Sequence, residues 1–333
     1  MTTAKHNSSA QTPRVITVHD GDVSPDDSRF SDIRLLNHPR LRPDRQPRLQ
    51  LAVHGEYVPA QREPVVLADG ALPVARMCAA DSLVAPNAVF GRAEKLRQFA
   101  AEYPSQWAAI ATREIPVYEL SQQLLREIVG FELHRGLLAV AARPAAVELG
   151  ALSENRDAAE ADHDSDPLAG ARTVVVLEGV GDPDNIGAIF RSAASLGADA
   201  IVFGAGCSDQ WDRRVVRVSM GQALRVQSVQ LPGGPNDWHY GLEELRNRGF
   251  HVAALSPGSG SVELRDGLVD AAGAPHEKVA LLLGAEGPGL SQHAMKAADS
   301  LVVIPMAAGA DSLNVATTAA CCLYERWRSM SGR

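Results

Sequence analysis

From residue 173 onward the chain alternates short, continuous apolar runs with longer amphipathic stretches. Residues 173–178, 200–203, 251–255, 278–283 and 301–304 read as strands, and 185–196, 237–248 and 312–328 as helices. A strand with no polar alternation is buried on both faces. This half therefore predicts an α/β fold with a mainly parallel sheet covered by helices on both sides. The earlier half is less regular and predicts a smaller α/β domain. Residues 64–76 and 83–99 read as helical or part helical, 107–111 and 117–119 as short strands, 121–129 as a helix capped by Ser121, and 136–142 as a buried strand.

At 333 residues the chain fits two domains. Its longest apolar run falls short of the roughly 18 to 20 residues of a membrane span. Residues 1–13 are polar and lack the apolar core of a secretory signal. The four cysteines, Cys78, Cys207, Cys321 and Cys322, are too few and too irregularly spaced for a disulfide framework or a zinc site. The expectation is a cytoplasmic protein with no membrane segment and no metal.

The net charge of −8 argues against nucleic acid as a partner until it is divided along the chain. Residues 144–171 carry one Lys or Arg against seven Asp or Glu, among them Glu154, Asp157, Glu160, Asp162, Asp164 and Asp166. With alanine, acid and no apolar period, this segment reads as an exposed linker. The flanking blocks are nearly neutral, so RNA binding would need local basic patches. One candidate is the run Arg29, Arg34, Arg40, Arg42, Arg45 and Arg48, either a phosphate-contacting surface or a solvated one. The expected division is 1–50 as a partly disordered, arginine-rich extension, 51–143 as the smaller domain, 144–171 as the acidic linker and 172–330 as the main domain.

Candidate chemistry lies in three loops that follow apolar strands. In the first, Leu177-Glu-Gly-Val-Gly-Asp-Pro-Asp-Asn-Ile-Gly-Ala-Ile-Phe-Arg191, Asn185 sits where an N-cap is expected and Arg191 falls on the second helical turn. A guanidinium there can anchor a phosphate or stabilise an oxyanion, or form a structural ion pair. The second, Gly284-Ala-Glu-Gly-Pro-Gly289, exposes backbone amides and holds one charge, Glu286, placed to pair with Arg191 or cap the next helix. The third runs from Ile304-Pro-Met306 to Ser312-Leu-Asn314, where Ser312 or Asp311 would cap the terminal helix and leave Asn314 unexplained. Loops at the carboxyl ends of strands in one open sheet imply one composite site. In the smaller domain, His134 and Arg135 form a turn before a buried strand and can face a phosphate or base, although a lone turn histidine is more often a surface residue.

Rival motifs fail. Gly179-Val-Gly181 lacks the third glycine of a dinucleotide turn, which weakens a dehydrogenase reading that would use Asp199 as its ribose ligand. There is no Gly-Lys pair for a phosphate loop and no nucleophile elbow.

Taken together the three segments resemble the motifs of the SpoU (TrmH) family of S-adenosylmethionine-dependent RNA 2′-O-ribose methyltransferases, in the SPOUT superfamily. The match is Asn185-x-Gly-x-x-x-Arg191, Leu283-Gly-x-Glu-Gly-x-Gly-Leu290, and Ile304-Pro-Met with Ser312-Leu-Asn-Val315, over about 172–328. The smaller domain, ending in Phe131-Glu-Leu-His-Arg-Gly136, is similar to the RNA substrate-binding domain of many members. The resemblance implies a deep trefoil knot, rare among folds, and a homodimer acting on rRNA or tRNA. It implies cofactor contacts from Leu283, Gly284, Gly287, Ile304, Met306 and Leu313, RNA contacts from His134 and Arg135, and catalysis by Arg191 supported by Asn185, Glu286, Ser312 and Asn314. A non-catalytic RNA-binding or assembly factor with the same fold is the alternative, which loss of the catalytic-type positions would favour.

Overall fold

The computed structural model describes residues 12–52, 54–150, 166–258, 260–308 and 312–331. Two compact units emerge: residues 1–144 with 211–217, and residues 145–210 with 218–333.

The N-terminal unit is built on a mixed five-stranded sheet. Its elements are β1 (Val15–Val18), β2 (Leu49–Leu51), β3 (Tyr57–Pro59), β4 (Val65–Asp69), α1 (Ala71–Cys78), β5 (Pro86–Gly91), α2 (Ala93–Glu102), α3 (Pro104–Thr112), β6 (Val117–Leu120), α4 (Gln122–Val129) and β7 (Leu137–Ala142). The order is β1-β6-β5-β7-β4, with β7 antiparallel to both neighbours, and β2 and β3 form a separate hairpin. α4 has the expected cap, the Ser121 hydroxyl accepting from the Leu124 amide.

Several expectations fail for identifiable reasons. Residues 65–69, read as the start of a helix, are a strand buried at every position, because two adjacent valines favour a pleated, enclosed surface. Residues 86–91 are likewise a strand. Residues 107–111 are helical, not extended: Pro104 opens α3 at its first turn and alanines fill it, both strong helix signals. Part of the segment set apart as an extension belongs to the sheet, since β1 pairs in parallel with β6, and Phe30, Ile33 and Leu36 are fully enclosed in the same core.

The C-terminal unit holds a seven-stranded, wholly parallel sheet. Its chain order is β8 (Thr173–Leu177), α5 (Pro183–Leu196), β9 (Ala200–Phe203), α6 (Arg213–Val218), β10 (Gln227–Gln230), α7 (Gly241–Asn247), β11 (Phe250–Leu255), β12 (Val262–Glu263), β13 (Lys278–Leu283), α8 (Gln292–Ala297), β14 (Ser300–Val303) and α9 (Val315–Ser331). Most of α6 is counted with the first unit. Val174, Val175, Val176 and Leu177 of β8 and Val279, Ala280, Leu281 and Leu282 of β13 have no exposed surface, each valine or leucine contributing about 1.5–3 kcal/mol.

The strand order is β10-β9-β8-β13-β11-β14-β12. The chain builds outward from β8 to one edge and then returns to lay β11 to β14 on the other side. The crevice beyond the carboxyl ends of β8 and β13 is therefore the topological switch point, where open α/β sheets bind ligands. At the expected acidic linker, Leu149 is buried and its amide bonds to the Gln230 carbonyl, while Asp166 pairs with Arg248, so both ends of 144–171 pack against this unit. Glu154, Asp157, Glu160, Asp162 and Asp164 lie outside the described residues.

Candidate functional site

The loops after β11, β13 and β14, with the start of α9, surround one cleft of about 530 Å³. Every residue expected to hold a cofactor lines it: Leu283, Gly284, Gly287, Ile304, Met306 and Leu313. Ser312, Asn314 and Glu286 line it too. Ser256 and Pro257, at the end of β11, complete the wall and escaped the sequence reading. Their signal was a Ser-Pro-Gly turn closing a buried parallel strand, the place where a ligand-binding loop belongs.

The backbone of the second loop explains its glycines. Ala285 and Gly289 pair across the loop, the Gly289 amide donating to the Ala285 carbonyl at 3.0 Å. A Cβ on Gly284 would fall on the backbone of Gly289 and Leu290, far inside van der Waals contact. Gly284 is thus required by the fold of the loop itself. Gly287 and Gly289 have φ of 88° and 69°, which side-chain-bearing residues rarely adopt.

Three polar side chains from three loops meet above this frame. Asn314 caps α9, its Oδ1 accepting from the Ala316 amide at 2.9 Å and the Thr317 amide at 3.2 Å. This corrects the assignment of the cap to Ser312 or Asp311: Ser312 lies exposed on the cleft wall, and Asp311 is outside the described residues. With its oxygen committed to the cap, Asn314 must direct Nδ2 outward, where it donates to Glu286 Oε1 at 2.6 Å and Asn185 Oδ1 at 2.9 Å. Asn185 then has only Nδ2 left, and it donates to the same Glu286 oxygen at 3.1 Å. One helix cap sets both amide orientations, and both amides donate to Oε1 of Glu286.

Asn185 is free for this because it is not an N-cap. Asp182 caps α5, accepting from the Asp184 amide at 3.0 Å, and Pro183 occupies the first turn. Nor does Glu286 pair with Arg191. Arg191 is exposed on α5, and among the described residues no carboxylate stands within ion-pairing distance of its guanidinium. Asp199, the dehydrogenase candidate, instead accepts from the Arg172 and Thr173 amides and fixes the start of β8. Cys207, after β9, is no nucleophile: burial pushes its thiol up to about 11. Among the described residues no cluster of His, Cys, Asp and Glu suits a metal ion, and no helix is long and apolar enough to cross a membrane. His134 and Arg135 belong to the other unit, where His134 is exposed and Arg135 donates to the Asp69 carbonyl at 3.2 Å.

Residues 172–324 match the SpoU rRNA Methylase family. An uncharacterized tRNA/rRNA methyltransferase of Mycobacterium tuberculosis is 40% identical over 323 residues, covering 96% of this chain and 95% of that protein. The chain belongs to the SpoU family. A second SpoU relative, the 23S rRNA (guanosine-2′-O-)-methyltransferase RlmB of Xanthomonas campestris pv. campestris, is 34% identical over 66% of this chain and 80% of its own. Among solved structures, the SpoU methyltransferase AviRb of Streptomyces viridochromogenes, in complex with AdoMet, superposes with a TM-score of 0.62 at 25% identity, over 81% of this chain and 92% of that one. The SpoU match begins one residue before β8 and includes all three loops.

Proposed function

We propose that this protein transfers the methyl group of S-adenosylmethionine to a ribose 2′-hydroxyl in structured rRNA or tRNA. The observation that carries the reading is the assembly of Asn185, Glu286 and Asn314 on the rim of an apolar cleft, with Arg191, which has no carboxylate partner among the described residues, on the helix that supplies Asn185.

The cleft suits this cofactor. Its described lining has no basic side chain, so nothing there is built for a phosphate, while Leu255, Val302, Ile304, Met306 and Leu313 provide apolar walls for an adenosine. The one charged group in its described lining, the Glu286 carboxylate, is complementary to a sulfonium cation. When bound, S-adenosylmethionine supplies a methyl group already activated for displacement, so the protein's task is alignment and management of the departing proton. Leu283, Gly284, Gly287, Ile304, Met306 and Leu313 hold the cofactor. Glu286, fixed by two amides, and Ser312 orient the ribose and the cofactor. Arg191, a guanidinium that keeps its proton and is therefore a poor base, binds a neighbouring RNA phosphate and stabilises the developing alkoxide.

In this reading the N-terminal unit supplies RNA affinity, with His134 and Arg135 among its contacts. The last strands and α9 carry the family's trefoil knot, supported by the convergence of three late loops on one cleft. The protein acts as a cytoplasmic homodimer. Tyr324 and Trp327, about half exposed and stacked at 6.4 Å on α9, support a subunit contact there, and light scattering of the purified chain reads the oligomeric state directly. The decisive experiment for the activity is ribose-methylation mapping of total RNA from cells with and without this chain. A lost 2′-O-methyl site supports the reading, and loss of a base methyl group instead overturns it.

A further inference from the structure

A second cavity, of about 290 Å³, lies on the other side of the loop that walls the cofactor cleft. Ala285 and Gly289 line both cavities, so the strip of chain that bears Glu286 is their common partition. The second cavity sits among the loops after β8, β9 and β13, at the switch point of the sheet. Its walls include Gly206, Pro235, Trp238 and Pro288. Its one charged group is Glu178.

Glu178 is held rigidly. Its Oε1 accepts from Trp238 Nε1 at 3.1 Å and its Oε2 from the Ser291 amide at 2.9 Å. Each carboxylate oxygen can accept a second hydrogen bond. Among the described residues no basic side chain pairs with it. The cavity thus offers a fixed two-oxygen acceptor between flat, mostly apolar walls. Beside it, continuing the chain from Trp238 and from Ser291, stand three rings joined through His239, which lies 4.4 Å from Tyr240 and 5.1 Å from His293. Tyr240 is 72% exposed. An exposed tyrosine ring packed against the His239 imidazole has no role in the core and presents a π face to solvent.

We infer that this cavity and its ring cluster form a nucleobase subsite, which takes the unpaired base of the nucleotide whose ribose is methylated. The inference rests on the RNA methyl-transfer reading above. Unstacked bases are recognised by aromatic and imidazole faces together with hydrogen bonds to their edges. Here His239, Tyr240 and His293 provide the faces, and Glu178 accepts from an N–H edge of the base. A base in this cavity leaves its ribose at the 285–289 partition, beside Asn185, Glu286 and Asn314.

The test uses the full chain. Tyr240→Ala and His293→Ala replace exposed side chains and leave the core intact. Their affinity for a fluorescein-labelled, mixed-sequence single-stranded RNA decamer is read by anisotropy with S-adenosylhomocysteine present. Their S-adenosylmethionine affinity is read by calorimetry, and methyl transfer is measured on total RNA from cells lacking the chain. The expected result is roughly tenfold weaker decamer binding per ring removed, a matching rise in KM for RNA, an unchanged single-turnover rate at saturating RNA, and unchanged cofactor affinity. Glu178→Gln, confirmed as folded by its melting midpoint, should likewise raise KM for RNA. Decamer binding and KM unaltered in the Tyr240→Ala, His293→Ala double variant overturn the subsite. If the wild-type chain methylates no RNA but its decamer binding still depends on Tyr240, the methyl-transfer reading fails while the subsite stands.

Discussion

The arginines of residues 29–48 and Arg191 of α5 share a side chain and differ in everything around it. Arg29 pairs with Asp27 at 2.8 Å, Arg34 with Asp26, Arg42 with Asp44 at 2.8 Å and Asp212 at 2.6 Å, and Arg48 with Asp32 at 3.2 Å. Arg45 donates to the Pro39 carbonyl, and Arg40 lies over the Tyr57 ring at 4.8 Å. The densest basic run in the N-terminal unit is therefore committed to its own fold. Arg191, a single cation among apolar neighbours in sequence, is exposed and, among the described residues, has no carboxylate partner, on the helix that feeds the cleft. Abundance of charge in a sequence says little about partners. A charge without a counter-charge beside a cavity says more.

The sharpest test of the structural side is Arg213, in the segment that joins the N-terminal unit. Its guanidinium reaches Asp69 at 3.2 Å and Asn37 at 2.7 Å, and its backbone amide donates to Asp44 at 2.9 Å. Breaking one side of a buried pair costs about 3–5 kcal/mol, because the surviving charge is stranded. Arg213→Met should lower the denaturation midpoint accordingly. Burial already pushes the Asp69 carboxyl above its usual range, against the pull of Arg213 and Arg135. Removing Arg213 raises it further. A carboxyl that binds its proton more tightly when folded destabilises the fold fully above that raised value, and the penalty is lost progressively as the pH falls below it toward the unfolded value. The deficit of Arg213→Met should therefore shrink on acidification, and a deficit that grew as the pH was lowered would contradict the assignment.

On the functional side, Arg191→Ala should cut single-turnover methyl transfer by roughly a hundred- to thousandfold, the usual cost of one preorganised oxyanion or phosphate donor. Cofactor affinity should hold, since Arg191 does not line the cleft. Arg191→Lys should restore little, as an ammonium cannot reproduce the planar fork. Near-normal rates for Arg191→Ala at saturating RNA would return it to the class of surface arginines.

How much of this was legible in the sequence depends on how local the cause was. Continuous apolar runs such as Lys278–Leu283 announced a parallel sheet because burial on both faces leaves no room for polar alternation. The three loops were legible because each has a composition that ordinary turns do not need. The helix and strand errors in the N-terminal unit came from short apolar runs whose state is decided by neighbours distant in the chain, as β1 is by β6. The wiring of the site was also hidden. Which of Asp182 or Asn185, and which of Ser312 or Asn314, caps its helix turns on a shift of less than one helical turn, yet that shift decides which amide is free to reach Glu286. The acceptor at Glu178 left no motif of its own, since its partners Trp238 and Ser291 lie 60 and 113 residues away.

Asn314 separates structural from catalytic service within one side chain. Asn314→Ala removes the α9 cap, worth about 1 kcal/mol, and the two amide bonds that set Asn185 and Glu286. Stability should fall modestly and activity much further. Asn314→Asp keeps an oxygen for the Ala316 and Thr317 amides but puts a second carboxylate against Glu286. It should melt close to the wild type while still losing activity. Equal loss of both properties in the two variants would mean that the network only holds the helix end.

The smallest effect is expected where the sequence looked most like a nucleic-acid binder. In Arg29 and Arg34 the positive charge is already answered by Asp27 and Asp26, so an approaching phosphate would meet a neutral pair. Replacing both by alanine should leave RNA affinity, and the slope of its decline with salt, close to the wild-type values. A genuine phosphate contact would behave otherwise: each one lost lowers the logarithmic salt slope by about 0.7 to 0.9. If the double variant shows a slope shallower by one contact or more, these ion pairs open to receive RNA, and the arginine run takes its place beside Arg191 as part of the working surface.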